Sequence, residues 1–310
     1  MICPLSCSQG IPPLNDIHSP TLRNRDVSVV VLTRNSERTI SACLESILSE
    51  EPGEIIAVDM RSCDMTQDLL KRHGVRIIVI NPATIGFARK IGISNATGHY
   101  LMFVDSDVTL SRGCLSTMKL ELEMNGWAVV QAQTRSWQIT TYWQRCEDVY
   151  MSAERAGQTN QIGLAATLFR KETLLQCPID PSFHTAEDLD ISYRMRIRGL
   201  VLGISTAHAY HDHRHSFSGF FQQRYVHALG IGRLALKYRK ISLLIGPLRA
   251  ATSLTIRCAL TRKVWMIPFY ITSGAIMTVG VISGFARLYG SQPVFVRQFN
   301  ETRWHALSKS

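Results

Sequence analysis

Residues 100–108 read YLMFVDSDV, five apolar or aromatic residues in a row and then two aspartates separated by a serine. An unbroken apolar run of that length is the pattern of a strand covered on both faces, as in a parallel sheet. Open α/β sheets bind ligands beyond the carboxyl ends of their strands, where Asp105 and Asp107 would stand. Two carboxylates one residue apart can offer oxygens to one hard divalent cation. The same aspartates also suit a polar turn that caps a helix beginning near Ser111.

Outward from that strand the chain alternates between strand and helix patterns. VSVVVL (27–32) is a second continuous apolar run, followed by the turn TRNSE and a helical stretch that reaches Leu48. EIIAV (54–58) is the next strand, with Asp59 at its end; a helix over 66–73, the strand VRIIVI (75–80) and a helix over 85–96 follow. This β-α-β-α-β-α-β order predicts an α/β fold built on an open, doubly wound, Rossmann-like sheet.

Composition sets the limits. Of 310 residues, 45% are hydrophobic and 19% charged, which excludes a disordered chain. Eight scattered cysteines form no C-x-x-C pair and read as reduced, mostly packed thiols of a cytosolic compartment. The net charge is +10, and every charged residue from Arg214 to Lys263 is basic. So one-signed a block seeks an anionic partner, either nucleic acid or a membrane surface.

The neighbouring sequence favours the membrane. VWMIPFYITSGAIMTVGVISGFA (264–286) carries no charge and would form a helix of roughly 33 Å, enough for a hydrocarbon core of about 30 Å. Pro268, Gly274, Gly280 and Gly284 are tolerated in membrane helices; a buried core helix is the alternative. Basic residues ahead of a span hold that side in the cytoplasm, so the expected location is a membrane with the preceding α/β domain on its cytoplasmic face. Leucines and isoleucines over 241–260, with Arg249 and Arg257 among them, suggest an interfacial helix. Nucleic acid is not an expected partner, because the block holds no recognisable reading motif. The expected division is an N-terminal arm (1–26), an α/β domain (27–215), a basic interfacial region (216–263), a transmembrane helix (264–286) and a tail (287–310).

Four stretches, VSVVVLTRN (27–35), AVDMRSCDMT (57–66), GFARKIGISNATGHYLMFVDSDV (86–108) and FHTAEDLDISYRMRIRG (183–199), resemble the glycosyltransferase family 2 domain of the GT-A fold in order and spacing. The resemblance implies an inverting sugar transfer from a nucleotide sugar, UDP-linked by default, with Mg2+ or Mn2+ at the D-x-D. It places Thr33, Arg34, Asn35 and Asp59 at the nucleotide and Arg89 near the diphosphate. It places Asp105 at the ribose and, through water, the metal, with Asp107 as the direct ligand. The family usually has a proline and an aromatic where Leu32 and Arg34 stand, and often a second acid where Met60 stands.

An inverting transfer needs a base to deprotonate the acceptor as it attacks from the face opposite the leaving group. The resemblance assigns that role to Asp188, with Glu187 and Asp190 positioning the acceptor or capping a helix; acids also suit a first helical turn for the dipole alone. AHAYHDHRHSF (207–217) supplies an alternating histidine set, from which His211, or else His213, would complete the metal site. FFQQRY (220–225) fails the Q-x-x-R-W spacing of processive members, which implies one sugar per event. With the membrane segment, the expected acceptor is a polyprenyl phosphate or lipid-linked glycan. The alternative function is a non-catalytic nucleotide-sugar-binding or scaffold subunit of a membrane glycan-assembly complex.

Overall fold

The structure is a computed structural model and describes residues 24–213 and 216–289. Most of the 1–26 arm, Arg214, His215 and all but the first residues of the tail lie outside the described residues. Asn24 to Asp26 are docked on the sheet: Asn24 donates to the Glu50 carbonyl at 2.7 Å, and Lys119 pairs with Asp26 at 2.6 Å.

The apolar runs form the centre of one mixed sheet. β1 (Val27–Thr33) is buried at every position and lies between β2 (Glu54–Asp59) and β4 (Tyr100–Asp105), both parallel to it. β3 (Arg76–Val79) extends the parallel half beyond β2. Between them α1 (Ile40–Leu48), α2 (Thr66–Arg72) and α3 (Ile85–Asn95) cross over the faces. Strand and helix positions here follow the sequence reading within a residue or two.

The other half is antiparallel where it joins. β8 (Ala166–Arg170) runs against β4, and β6 (Val129–Ser136) runs against β8. β9 (Leu202–His211) is parallel to β6, with a register shift between Gln131 and Gln133 that marks a bulge. The short β5 (Val108–Leu110) and β7 (Gly157–Thr159) pair antiparallel with β9. The order is β3-β2-β1-β4-β8-β6-β9-β5. α4 (Cys114–Met124) starts three residues after Ser111, behind Gly113 in a left-handed conformation. It packs with α1 on one face, while α6 (Lys171–Gln176) and α7 (Glu187–Ile197) cover the other. The six described cysteines are free thiols.

α5 (Tyr142–Met151) lies under a C-terminal group of helices: α8 (Phe217–Lys237), α9 (Gly246–Leu260) and α10 (Ile267–Tyr289). The single helix expected over 241–260 is instead a 3-10 turn, Ile241–Leu244, followed by a fresh start at Gly246. Pro247 explains the break, since it lacks an N–H and suits only a first helical turn. The glycines of α10 are contact points. A side chain on Gly280 would stand 2.6 Å from the Ala228 methyl, and one on Gly284 would stand 2.4 Å from the Leu229 carbonyl oxygen. Gly284→Val is therefore expected to force α10 off α8 and cost about 1–3 kcal/mol. Calorimetry would register this as a lowered Tm, and an unchanged Tm would mean the two helices are not in contact.

The basic block is partly neutralised inside the fold. Arg224 pairs with Glu147 of α5 at 2.6 Å, and Lys237 reaches Asp180 at 2.7 Å and Asp190 at 2.6 Å. Arg239, Lys240, Arg249, Arg257, Arg262 and Lys263 remain exposed.

Candidate active site

The carboxyl ends of β1, β2 and β4 meet at one rim, because the parallel register sets Thr33 opposite Asp59 and Leu32 opposite Asp105. Side-chain hydrogen bonds lace the three ends together. Asn35, in a left-handed conformation, donates its amide to Ser62 Oγ at 2.9 Å and accepts from the Cys63 amide at 2.8 Å. Ser36 Oγ is 2.9 Å from Ser106 Oγ, which joins the first turn to the D-S-D turn. Arg34 is half-buried beside them.

Asp59 is fully buried, and four donors already fill its carboxylate. They are Thr33 Oγ1 at 2.9 Å, the Ser62 amide at 2.9 Å, Ser62 Oγ at 2.5 Å and Gln67 Nε2 at 2.8 Å. Ser62 and Gln67 escaped the sequence reading. Their signal was there, a hydroxyl three residues and an amide eight residues after the strand-terminal acid.

Arg89 is buried on α3 and joins two distant acids. Its Nη2 donates to Asp105 Oδ1 at 3.1 Å and its Nε to Glu187 Oε1 at 3.3 Å, while its guanidinium lies 4.8 Å from the centre of the Phe103 ring. One cation thus ties the D-S-D turn to the first turn of α7. That turn begins from Ala186 at φ 63°, a left-handed conformation uncommon for a residue with a side chain. Asp188 Oδ1 accepts from the Leu189 amide at 2.8 Å.

Burial pushes both carboxyls of this turn up. Glu187 rises to about 7, held back by Arg89 and driven further by Asp188. Asp188 rises to about 6, held back by the Leu189 amide and then by Arg89. Asp190 stands apart from them. It is buried in a mesh of Arg194 at 2.8 Å, Lys237 at 2.6 Å and Tyr238 at 2.6 Å, which anchors α7 to the end of α8.

β9 brings His211 to the same rim through its pairing with Val108. His211 Nε2 lies 3.2 Å from Asp107 Oδ1. Burial opposes a charge on the ring, but Asp107 and then Asp105 outweigh it and push the imidazole up to about 9. The His213 ring is 4.4 Å from that of His211, centre to centre, and its buried Nε2 has no hydrogen-bond partner. Burial and the neighbouring His211 push it down to about 3.

Hard carboxylate oxygens beside imidazole nitrogens, one of them without a partner, are in kind a donor set for Mg2+ or Mn2+. Among the described residues, no group of three or more His, Cys, Asp or Glu side chains is gathered around one point as an ion would require. Asp105, Asp107, Glu187, Asp188, Arg89 and His211 come together through these links. Asp59 joins them through Thr33 and the β1 turn.

Residues 28–173 match the family described as glycosyl transferase family 2. The poly(ribitol-phosphate) beta-glucosyltransferase of Bacillus spizizenii is 37% identical over 92 residues, 26% of this chain and 14% of that protein. The uncharacterized glycosyltransferase EpsJ of Bacillus subtilis is 36% identical over 107 residues, 32% of this chain and 31% of that protein. The chain thus covers less than a third of the length of either relative. The crystal structure of GalNAc-T7 with UDP, GalNAc and Mn2+ superposes with a TM-score of 0.51 at 14% identity, over 61% of this chain and 44% of that one. At that identity the likeness concerns the fold.

Proposed function

We propose that the chain, whose residues 28–173 match glycosyl transferase family 2, is a GT-A transferase of that family that moves one sugar per event from a nucleotide sugar, UDP-linked by default, to a membrane-presented acceptor. The observation that carries this reading is the buried Arg89, which holds Asp105 and Glu187 in one site although they lie far apart in the chain. Relatives named as glycosyltransferases and a fold neighbour solved with UDP and Mn2+ support it.

The roles follow from position. Thr33, Arg34, Asn35 and Asp59 form the end of the site that takes the base. Gln67 is the partner Asp59 can release most easily, since it reaches in from a helix side chain, and its place would go to a ring N–H. Asp105 and Asp107 face the diphosphate, and with His211 would hold the divalent cation. The chemistry supplied at that position would be neutralisation of the charge that builds on the departing diphosphate. Asp188 takes the proton of the acceptor hydroxyl while that oxygen bonds to the anomeric carbon and the carbon–oxygen bond to the diphosphate breaks, with inversion. Glu187, fixed by Arg89, sets the orientation of the turn that carries Asp188. The apolar α10 and the exposed basic residues support an acceptor such as a polyprenyl phosphate or lipid-linked glycan, reached from the cytoplasmic face of a membrane.

A screen of nucleotide sugars with Mg2+ or Mn2+ against lipid-linked and soluble acceptors, reading released nucleoside diphosphate, tests the reading. Release from one donor that needs a lipid acceptor is expected. Turnover only with soluble protein acceptors would remove the acceptor assignment, and no release from any donor would remove transfer itself. The pH dependence is a second test. Asp188 must be ionised to accept a proton, and burial pushes it up to about 6. kcat/KM is therefore expected to rise about tenfold per pH unit below that value and level off above it. A profile flat from about pH 5 to pH 8 would exclude Asp188 as the base.

A further inference from the structure

α10 divides cleanly into two sides. Pro268, Ile271, Ala275, Val279, Ile282 and Ala286 recur at helical spacing on the outer side, all exposed and none charged. Ile271, Val279 and Ile282 are 57%, 59% and 52% exposed, and Leu260 at the end of α9 is 80% exposed. Contiguous apolar surface of this kind marks an interaction site on a soluble body.

The inner side cannot leave the catalytic domain. Gly280 and Gly284 meet the α8 backbone, and the Phe269 amide donates to the Tyr142 hydroxyl of α5 at 3.2 Å. α8 is itself fastened to the domain by Arg224–Glu147, by Lys237–Asp180 and by Thr185 Oγ1 donating to the Val226 carbonyl at 3.0 Å. A bilayer crossing by α10 would carry those charges into hydrocarbon or strip α10 from α8. Although Val264–Leu288 is long and apolar enough to span, 44% of its most apolar window is buried against the protein.

The charge around the outer side has one sign. Arg249, Arg257, Arg262 and Lys263 are exposed on α9 and the turn after it, and no Asp or Glu occurs between Asp212 and Glu301.

We infer that the outer sides of α9 and α10 form a seat that lies in the headgroup layer of an anionic membrane, apolar side chains down and arginines at the phosphates. The seat deepens the reading of a membrane-presented acceptor, since it holds the catalytic domain against the lipid surface without a span. Lipid binding needs no turnover, so failure of the seat and failure of sugar transfer are separate results.

The test uses the full chain with vesicles of phosphatidylcholine alone and of equal parts phosphatidylcholine and phosphatidylglycerol. Flotation should show at least about tenfold tighter binding to the anionic vesicles, weakened by salt. Alkaline carbonate should release the protein from cell membranes. The pair Val279→Glu and Ile282→Glu should abolish vesicle binding with an unchanged circular dichroism spectrum. In case that pair disturbs folding, Arg249→Ala with Arg257→Ala should weaken anionic binding about tenfold on an intact fold. Retention after carbonate, equal binding to neutral vesicles, or a dimer broken by the glutamates with no vesicle binding would each overturn the seat.

Discussion

Asp188→Asn is expected to lower kcat by about a thousandfold, roughly 4 kcal/mol of barrier, while the donor's affinity stays within about twofold. The asymmetry follows from the turn. Asn keeps the shape of the side chain, and its oxygen still accepts from the Leu189 amide, so the backbone that presents it is preserved. The lost function is proton acceptance, which only the ionised carboxylate performs. In the proposed roles the donor is held at the β1, β2 and β4 ends and not through Asp188.

Stability supplies an independent readout with the opposite sign. The Asp188 carboxyl is raised in the fold from 3.8 to about 6 because burial penalises its charge. A raised acid binds its proton more tightly when folded. Its stabilising contribution is complete below pH 3.8 and is lost as pH rises through about 6. Near pH 8 the native state therefore carries the cost of a buried carboxylate, and the Asn variant should melt no lower than the parent. Donor binding by titration, steady-state release of nucleoside diphosphate and a melting curve at pH 8 together check the prediction. A variant that keeps more than about a tenth of kcat would move the base elsewhere. A parent that binds donor but never turns over, with a variant that behaves identically, would favour a non-catalytic binding subunit.

The parallel half of the sheet was legible because each strand is a closed run of apolar residues that ends in a polar turn. VSVVVL, EIIAV and YLMFV each fall on an observed strand, and Asp59 and Asp105 fall at strand ends. The antiparallel half was not legible. Its strands β5 and β7 have three residues each, too few to show a period, and β8 is stabilised by partners from both halves of the sheet.

The same limit applies inside the site. The family resemblance drew attention to Arg89 and Glu187 separately, but the hydrogen bond between them spans 98 positions and has no local trace. The pairing of Lys237 with Asp190, 47 positions apart, likewise turns a residue of an apparently free basic block into an anchor for α7. Charge runs in sequence report composition. Whether a charge is spent inside the fold depends on which helix packs beside it.

Arg89 is where these long-range contacts concentrate, and its removal should be the most damaging single change to the site. Arg89→Met keeps length and apolar bulk, so α3 still packs on Phe103, but it leaves Asp105 and Glu187 facing each other without a cation. Breaking a buried pair by deleting one partner costs about 3–5 kcal/mol. A drop in Tm of about 6–20 °C is expected for a body of this size. The guanidinium also holds down the pKa of both Glu187 and Asp188. Without it both carboxyls should rise further, and the acid limb of kcat/KM should move to higher pH. A merely structural role would lower Tm without moving that limb. Arg89→Lys separates the two effects, because an ammonium restores one positive charge but cannot reach Asp105 and Glu187 with a fixed fork. It should recover part of the limb shift and little of the fixed geometry, which would appear as a lowered kcat at saturating donor. If Arg89→Met melts within about a degree of the parent and its pH limb stays in place, the acids are not held by this guanidinium. The link between the D-S-D turn and Asp188 would then have to run through the backbone, beginning where the Asp105 amide donates to the Ala165 carbonyl just ahead of β8 at 2.9 Å.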